Sequence, residues 1–92
     1  MIFYRVLFEA SATVRDYSHH ATLADAHHAA QGYPKDQREC VLVEQFEVRS
    51  DKGGILELLQ GYDPFSDLPA AKRWELSARG GLREIAIELA AQ

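Results

Sequence analysis

Between Ile2 and Val14 every even position is apolar, namely Ile2, Tyr4, Val6, Phe8, Ala10, Ala12 and Val14, while Arg5, Glu9, Ser11, Thr13 and Arg15 fall on odd positions. Successive side chains of a strand point to opposite faces, so this period of two predicts a half-buried strand, long and bent near Ala10-Ser11-Ala12. Phe3 and Leu7 on its second face predict partial cover there as well. Thr22-Leu23-Ala24-Asp25 then has the form of a capping box, in which a hydroxyl and a carboxylate satisfy amides at a helix start. The expected helix runs from about Leu23 to Gln31. At about 100° per residue, Leu23, Ala26 and Ala30 share one side with His27 at its margin, whereas Asp25 and His28 point away.

A second strand is expected from Cys40 to Val48, apolar on both faces at first and alternating afterwards. Ser50 or Asp51 then caps a second helix with Ile55, Leu58 and Leu59 on one face and Leu56 beside them, its first turn weakened by Gly53 and Gly54. Both helices end alike, in Gly32-Tyr33-Pro34 and Gly61-Tyr62-Asp63-Pro64. Glycine is expected to take the left-handed conformation, tyrosine to fold back onto the last turn, and proline to prevent continuation. The last third fits two templates. Leu82, Ile85, Ala86 and Leu89 make a helical stripe, while Ile85, Ile87 and Leu89 alternate with Glu84, Ala86 and Glu88 as a strand would. Trp74 and the isoleucines tip the balance towards a terminal hairpin, Arg73 to Leu76 with Arg83 to Leu89, across an Ala78-Arg79-Gly80-Gly81 turn. The expected fold is α+β: one domain over residues 1–92, a small mainly antiparallel sheet with two helices packed on one face, and a C-terminal hairpin or helix.

Composition narrows the class. A chain of 92 residues with 47% hydrophobic content has room for one core and enough apolar surface to order it. Its apolar runs, such as Cys40 to Val43, fall far short of the roughly 20 residues that span a bilayer, and its start lacks the pattern of a secretory signal. The single cysteine, Cys40, cannot form an internal disulfide, which points to a reducing, cytoplasmic setting.

The net charge of −4 is unevenly spread. Residues 72–83 carry Lys72, Arg73, Arg79 and Arg83 against Glu75 alone, whereas residues 1–71 hold six basic and eleven acidic side chains. A mainly acidic body repels nucleic acid and favours basic protein surfaces. The basic stretch is the exception, since cations interleaved with Trp74 are the ingredients of phosphate contact and base stacking. The competing expectation is that Trp74 anchors the core or an interface.

Motifs for chemistry are weak. His19, His20, His27 and His28 crowd into ten residues, but adjacent histidines on a helix diverge and no pair is spaced to share an ion, so no metal site is expected. Cys40 lacks a neighbouring base and reads as a small buried hydrophobe. Ser50-Asp51-Lys52-Gly53-Gly54 places amides and a lysine at a helix start without the spacing of a phosphate-binding loop. No carboxylates are marked as a buried pair, so neither a cofactor nor enzymatic activity is expected.

What this leaves is surface recognition: a small inhibitor or regulator of the kind carried by phages and mobile elements, an anti-CRISPR-type protein being one instance, that occupies a basic partner surface. Tyr17, Tyr33, Tyr62 and Phe65 are the candidate anchors, with helix-stop packing the competing role of Tyr33 and Tyr62. A nucleic-acid-binding accessory protein using Lys72, Arg73, Trp74 and Arg79 is the second reading. A homo-oligomer, such as a homodimer whose histidines alter assembly with pH, is the third.

Overall fold

A computed structural model of the chain describes residues 2–47 and 70–86. The elements are β1 (Ile2–Glu9), β2 (Arg15–His20), α1 (Leu23–Gln31), a 3₁₀ helix (Lys35–Cys40), β3 (Val41–Glu47), β4 (Lys72–Leu76) and β5 (Leu82–Ile85). The five strands form one sheet in the order β2-β1-β3-β4-β5, antiparallel at every junction. The fold is thus α+β. The expected second helix and its glycine stop at Gly61 lie outside the described residues.

The apolar alternation of β1 becomes the core. Val6 and Phe8 face α1, and in register with them stand Val43 and Val41 of β3. These four join Leu76 of β4 and the helix residues Ala26 and Ala30 in one buried cluster, with Val6, Val41, Val43 and both alanines fully buried. Alanine is what lets α1 lie close: a helix face without bulk brings its backbone near the sheet. Thr22 starts the helix as its spacing predicts, with extended backbone and its Oγ1 accepting the Asp25 amide at 3.1 Å.

The first strand is shorter than expected. β1 ends at Glu9 and the chain reverses, Ala10 N–H donating to the Val14 carbonyl at 3.0 Å while Ser11 Oγ accepts the amides of Thr13 and Val14 at 3.3 and 3.1 Å. A serine hydroxyl offers the backbone a local alternative to the ladder, and here it turns the strand into a hairpin. Val14, which continues the alternation on paper, is 52% exposed. The returning strand β2, Arg-Asp-Tyr-Ser-His-His, lacks apolar alternation because, among the described strands, it stands at one edge of the sheet and leaves the core to β1, β3 and β4.

Gly32 also differs from expectation. Its φ of −72° and ψ of −15° are right-handed, and the last turn closes by short-range bonds from the Gly32 and Tyr33 amides to the Ala29 and Ala30 carbonyls. An added Cβ at Gly32 would stand 3.2 Å from the Ala29 oxygen, so glycine supplies room here and no left-handed turn. After Pro34 the chain forms the 3₁₀ helix, and Cys40 closes that helix, half-buried against the core, where it was expected to open the strand.

Over the described residues the C-terminal hairpin prevails over the helix. Leu76 pairs with Leu82, and Arg73, Trp74 and Glu75 pair with Ile85, Glu84 and Arg83. The connecting turn is closed by Gly80 N–H to the Ser77 carbonyl at 2.9 Å and Ser77 N–H to the Gly81 carbonyl at 2.8 Å. Gly80 adopts φ +88°, the conformation that side chains disfavour. A Cβ there would also stand 3.3 Å from Arg38 Nη2 and 3.4 Å from Gln31 Nε2. Gly80→Ala is therefore expected to lower unfolding free energy by about 1–2 kcal/mol, read by urea titration. An effect below a few tenths would show that the turn is not so constrained.

Candidate functional site

Arginine at position 5, glutamate at 44 and arginine at 73 are direct neighbours across β1, β3 and β4. They lie on the sheet face opposite α1. Glu44 Oε1 accepts from Arg5 Nε and Nη2 at 3.1 and 2.6 Å, and Oε2 accepts from Arg73 Nε and Nη2 at 3.1 and 2.8 Å. Arg5 is 1% exposed and Glu44 2%. The Arg5 guanidinium also lies 4.6 Å from the centre of the Phe46 ring, a cation–π contact. Each arginine engages its oxygen through two donors, an arrangement that fixes orientation as well as charge.

This cluster changes what the basic stretch can do. Arg73 is held by Glu44, and Arg83 pairs with Glu75, its cross-strand neighbour. Lys72 opens β4 and Arg79 sits in the turn at its other end, both exposed and neither in an ion pair with a described residue. Trp74 points the other way, onto the α1 face, half-buried against the core with its ring 6.3 Å from that of Tyr4. Adjacent residues of a strand face opposite sides, so Arg73 and Trp74 cannot address one ligand. The four residues proposed from sequence as one patch are distributed over two faces and a turn.

Tyr33 performs the helix-stop role. Its ring stacks on Phe8 at 4.6 Å and 7°, and its hydroxyl donates to Asp16 Oδ2 at 2.8 Å. The other Asp16 oxygen accepts the Tyr17 amide at 2.9 Å, so one carboxylate joins β2 to the end of α1. Burial first, and then the hydrogen bond and charge of Asp16, push the Tyr33 hydroxyl up from its ordinary value of 10 to about 12. A folded-state value above the unfolded one means that stability is complete below pH 10 and falls as pH rises from there through 12. Tyr33→Phe should flatten that alkaline decline, measured as the urea midpoint against pH. A decline equally steep in the variant would place its origin elsewhere.

Tyr17 is 44% exposed, opposite Leu7 and edge-on to His19 with centroids 5.6 Å apart. His19 meets Phe3 edge-on at 5.7 Å, and Phe3 stacks on Phe46 at 5.2 Å. An aromatic row thus runs inward from β2 to the buried charges. Tyr62 and Phe65 lie outside the described residues.

The four histidines part company. His19 sits in the aromatic row, where partial burial, then Arg5 and then His20 lower its affinity for a proton. His20 Nε2 is 2.7 Å from Ser18 Oγ, and His28 is exposed on α1. His27 donates from Nε2 to the Gly80 carbonyl at 2.6 Å, where Gln31 Nε2 donates as well at 2.9 Å. Arg38 Nη1 donates to the Ala78 carbonyl at 2.6 Å. Three side chains from α1 and the 3₁₀ helix therefore clasp the β4–β5 turn. Sequence reasoning missed this clasp because its acceptors are backbone carbonyls some 50 positions downstream; the only local signal is the i, i+4 spacing of His27 and Gln31. Among the described residues no group of three histidine, cysteine or acidic side chains is placed to hold a metal ion, and no helix is long and apolar enough to cross a membrane. Compared with known proteins, the chain matches no family model, no curated protein and no solved structure.

Proposed function

We propose that the protein is a non-enzymatic binding module that acts by occupying the surface of another protein, in the manner of a small phage or mobile-element inhibitor or regulator. The observation that carries this reading is the internal use of the cations at 73 and 83, which Glu44 and Glu75 engage. Nucleic-acid affinity grows with the number of phosphates neutralised, and a stretch whose Arg73 is bound by buried Glu44 and whose exposed Arg83 is partly neutralised by Glu75 supplies less of it than its sequence suggests. The buried carboxylate of Glu44 is likewise engaged on both oxygens by guanidinium groups of this chain. At the surface, Val14 and Tyr17 expose apolar area on and beside β2. Asp16, Asp25, Asp36 and Glu39 are exposed carboxylates that a basic protein surface would complement.

Affinity capture from the native host with the full chain tests the reading. A protein partner should be recovered, and Tyr17→Ala should weaken its binding about tenfold, the scale of an interface tyrosine. Recovery of no protein would remove the basis of the proposal. Retention on a single-stranded DNA resin at low salt, not matched on a polyglutamate resin and lost on charge reversal at Arg79, would favour a nucleic-acid ligand instead.

A further inference from the structure

The turn from Ser77 to Gly81 receives more polar support than a hairpin needs. Its own backbone bonds close it, and Ser77 Oγ accepts the Gly81 amide at 3.0 Å besides. His27, Gln31 and Arg38 then add their donors to the Gly80 and Ala78 carbonyls. Ordering long polar side chains costs up to about 2 kcal/mol each in rotamer entropy. What these three achieve is a turn fixed in position.

Arg79 is the long exposed side chain of that turn and stands outside the clasp. It has no ion pair among the described residues. The amides of Ala78 and Arg79 donate to no acceptor among the described residues. Beneath the turn lies Arg38, whose Nη1 is spent on the Ala78 carbonyl and whose buried Nε lacks a hydrogen-bond partner. No described carboxylate is paired with either guanidinium. Arg79 and two turn amides thus stand on a turn with the Arg38 guanidinium beneath it, next to a hollow that Lys35, Asp36 and Glu39 also line, and the residue that projects from the turn is held by a backbone already ordered. Preorganisation of this kind lowers the entropic cost of association.

We propose that the 77–81 turn is a preformed contact point for a carboxylate-bearing surface of a protein partner, with Arg79 as the anchor and Arg38 as a fixed positive charge beneath it. This rests on the protein-binding reading and adds an acidic feature to the partner. A protein carboxylate fits better than a nucleic-acid backbone. The turn offers one projecting cation, Arg83 beyond it is engaged by Glu75, and Glu84 in the same strand is exposed and acidic. A single carboxylate suits such a point, whereas a phosphodiester chain needs a run of contacts.

The test is amide NMR of the full chain titrated at low ionic strength with hexaglutamate and, in parallel, with a single-stranded oligothymidylate of matched charge. Signals of residues 78–81 should move with the peptide, and Arg79→Ala should weaken that binding about tenfold or more. Arg83→Gln should leave it unchanged. His27→Ala, which keeps the arginines but releases the turn, should weaken it several-fold, an effect that charge alone would not produce. Shifts absent from the turn, shifts undiminished in Arg79→Ala, or tighter binding of the oligothymidylate would each overturn the proposal. A native partner captured equally well by wild type and Arg79→Ala would overturn this site while leaving the protein-binding reading intact.

Discussion

Replacing Glu44 with alanine is expected to lower the unfolding free energy by about 3–5 kcal/mol, the cost of breaking a buried ion pair from one side. The carboxylate is 2% exposed and serves two arginines, so its removal leaves Arg5 buried and Arg73 half-buried close together with no charge between them. Natural domains are stable by only about 5–15 kcal/mol, so such a loss brings the chain near its unfolding threshold. Glu44→Gln should cost nearly as much although its shape is retained. The informative companion is Arg5→Met with Glu44→Leu and Arg73→Met, which removes all three charges together and should recover most of the lost stability. If Glu44→Ala alone costs less than about 1 kcal/mol in urea titration, the cluster behaves as a solvated surface pair.

Phe8→Ala should cost about 3–5 kcal/mol as well, by a different route. Phe8 is 5% exposed and belongs to the α1-facing core, and its ring backs that of Tyr33. The substitution opens a cavity under the helix end and releases the tyrosine that Asp16 holds. Two effects should follow together: a lower urea midpoint, and a Tyr33 ionisation that moves back towards 10 when followed by ultraviolet absorbance. The double variant with Tyr33→Ala should cost less than the two separate losses added, since the residues touch. Strict additivity would mean that the stack contributes nothing.

How far the fold could be read from sequence depended on whether an element buries a face. β1, α1 and β3 each commit apolar or small residues to the core, and their alternation or spacing located α1 and the starts of β1 and β3 to within one residue, though not the end of β1. β2 could not be read this way, because Arg15, Asp16, Ser18, His19 and His20 satisfy their backbone in an outer strand without needing apolar alternation. The turn before it depends on Ser11, one hydroxyl in an otherwise unbroken pattern. Gly32 was misjudged because glycine signals either an unusual backbone angle or lack of room, and sequence does not say which. The site fared similarly. Charge counting grouped Arg73, Trp74 and Arg79, but the pleat sends the first two to opposite faces and the turn removes the third. The partner that captures Arg73 is Glu44, 29 positions earlier, on a strand that only the fold makes its neighbour.

The alignment of Arg5, Glu44 and Arg73 also bears on how three strands find their register. A slip of one residue would turn every apolar side chain of a strand to the wrong face, and the core forbids it. A slip of two residues is harder to exclude, because it preserves the apolar face: sliding β1 against β3 by two would still set valines and aromatics opposite one another. It would also place Arg5 opposite Leu42 or Phe46 and leave Glu44 facing Phe3 or Leu7, each charge buried beside hydrocarbon. Three ionised side chains thus make the two-residue error costly where hydrophobicity is nearly indifferent to it.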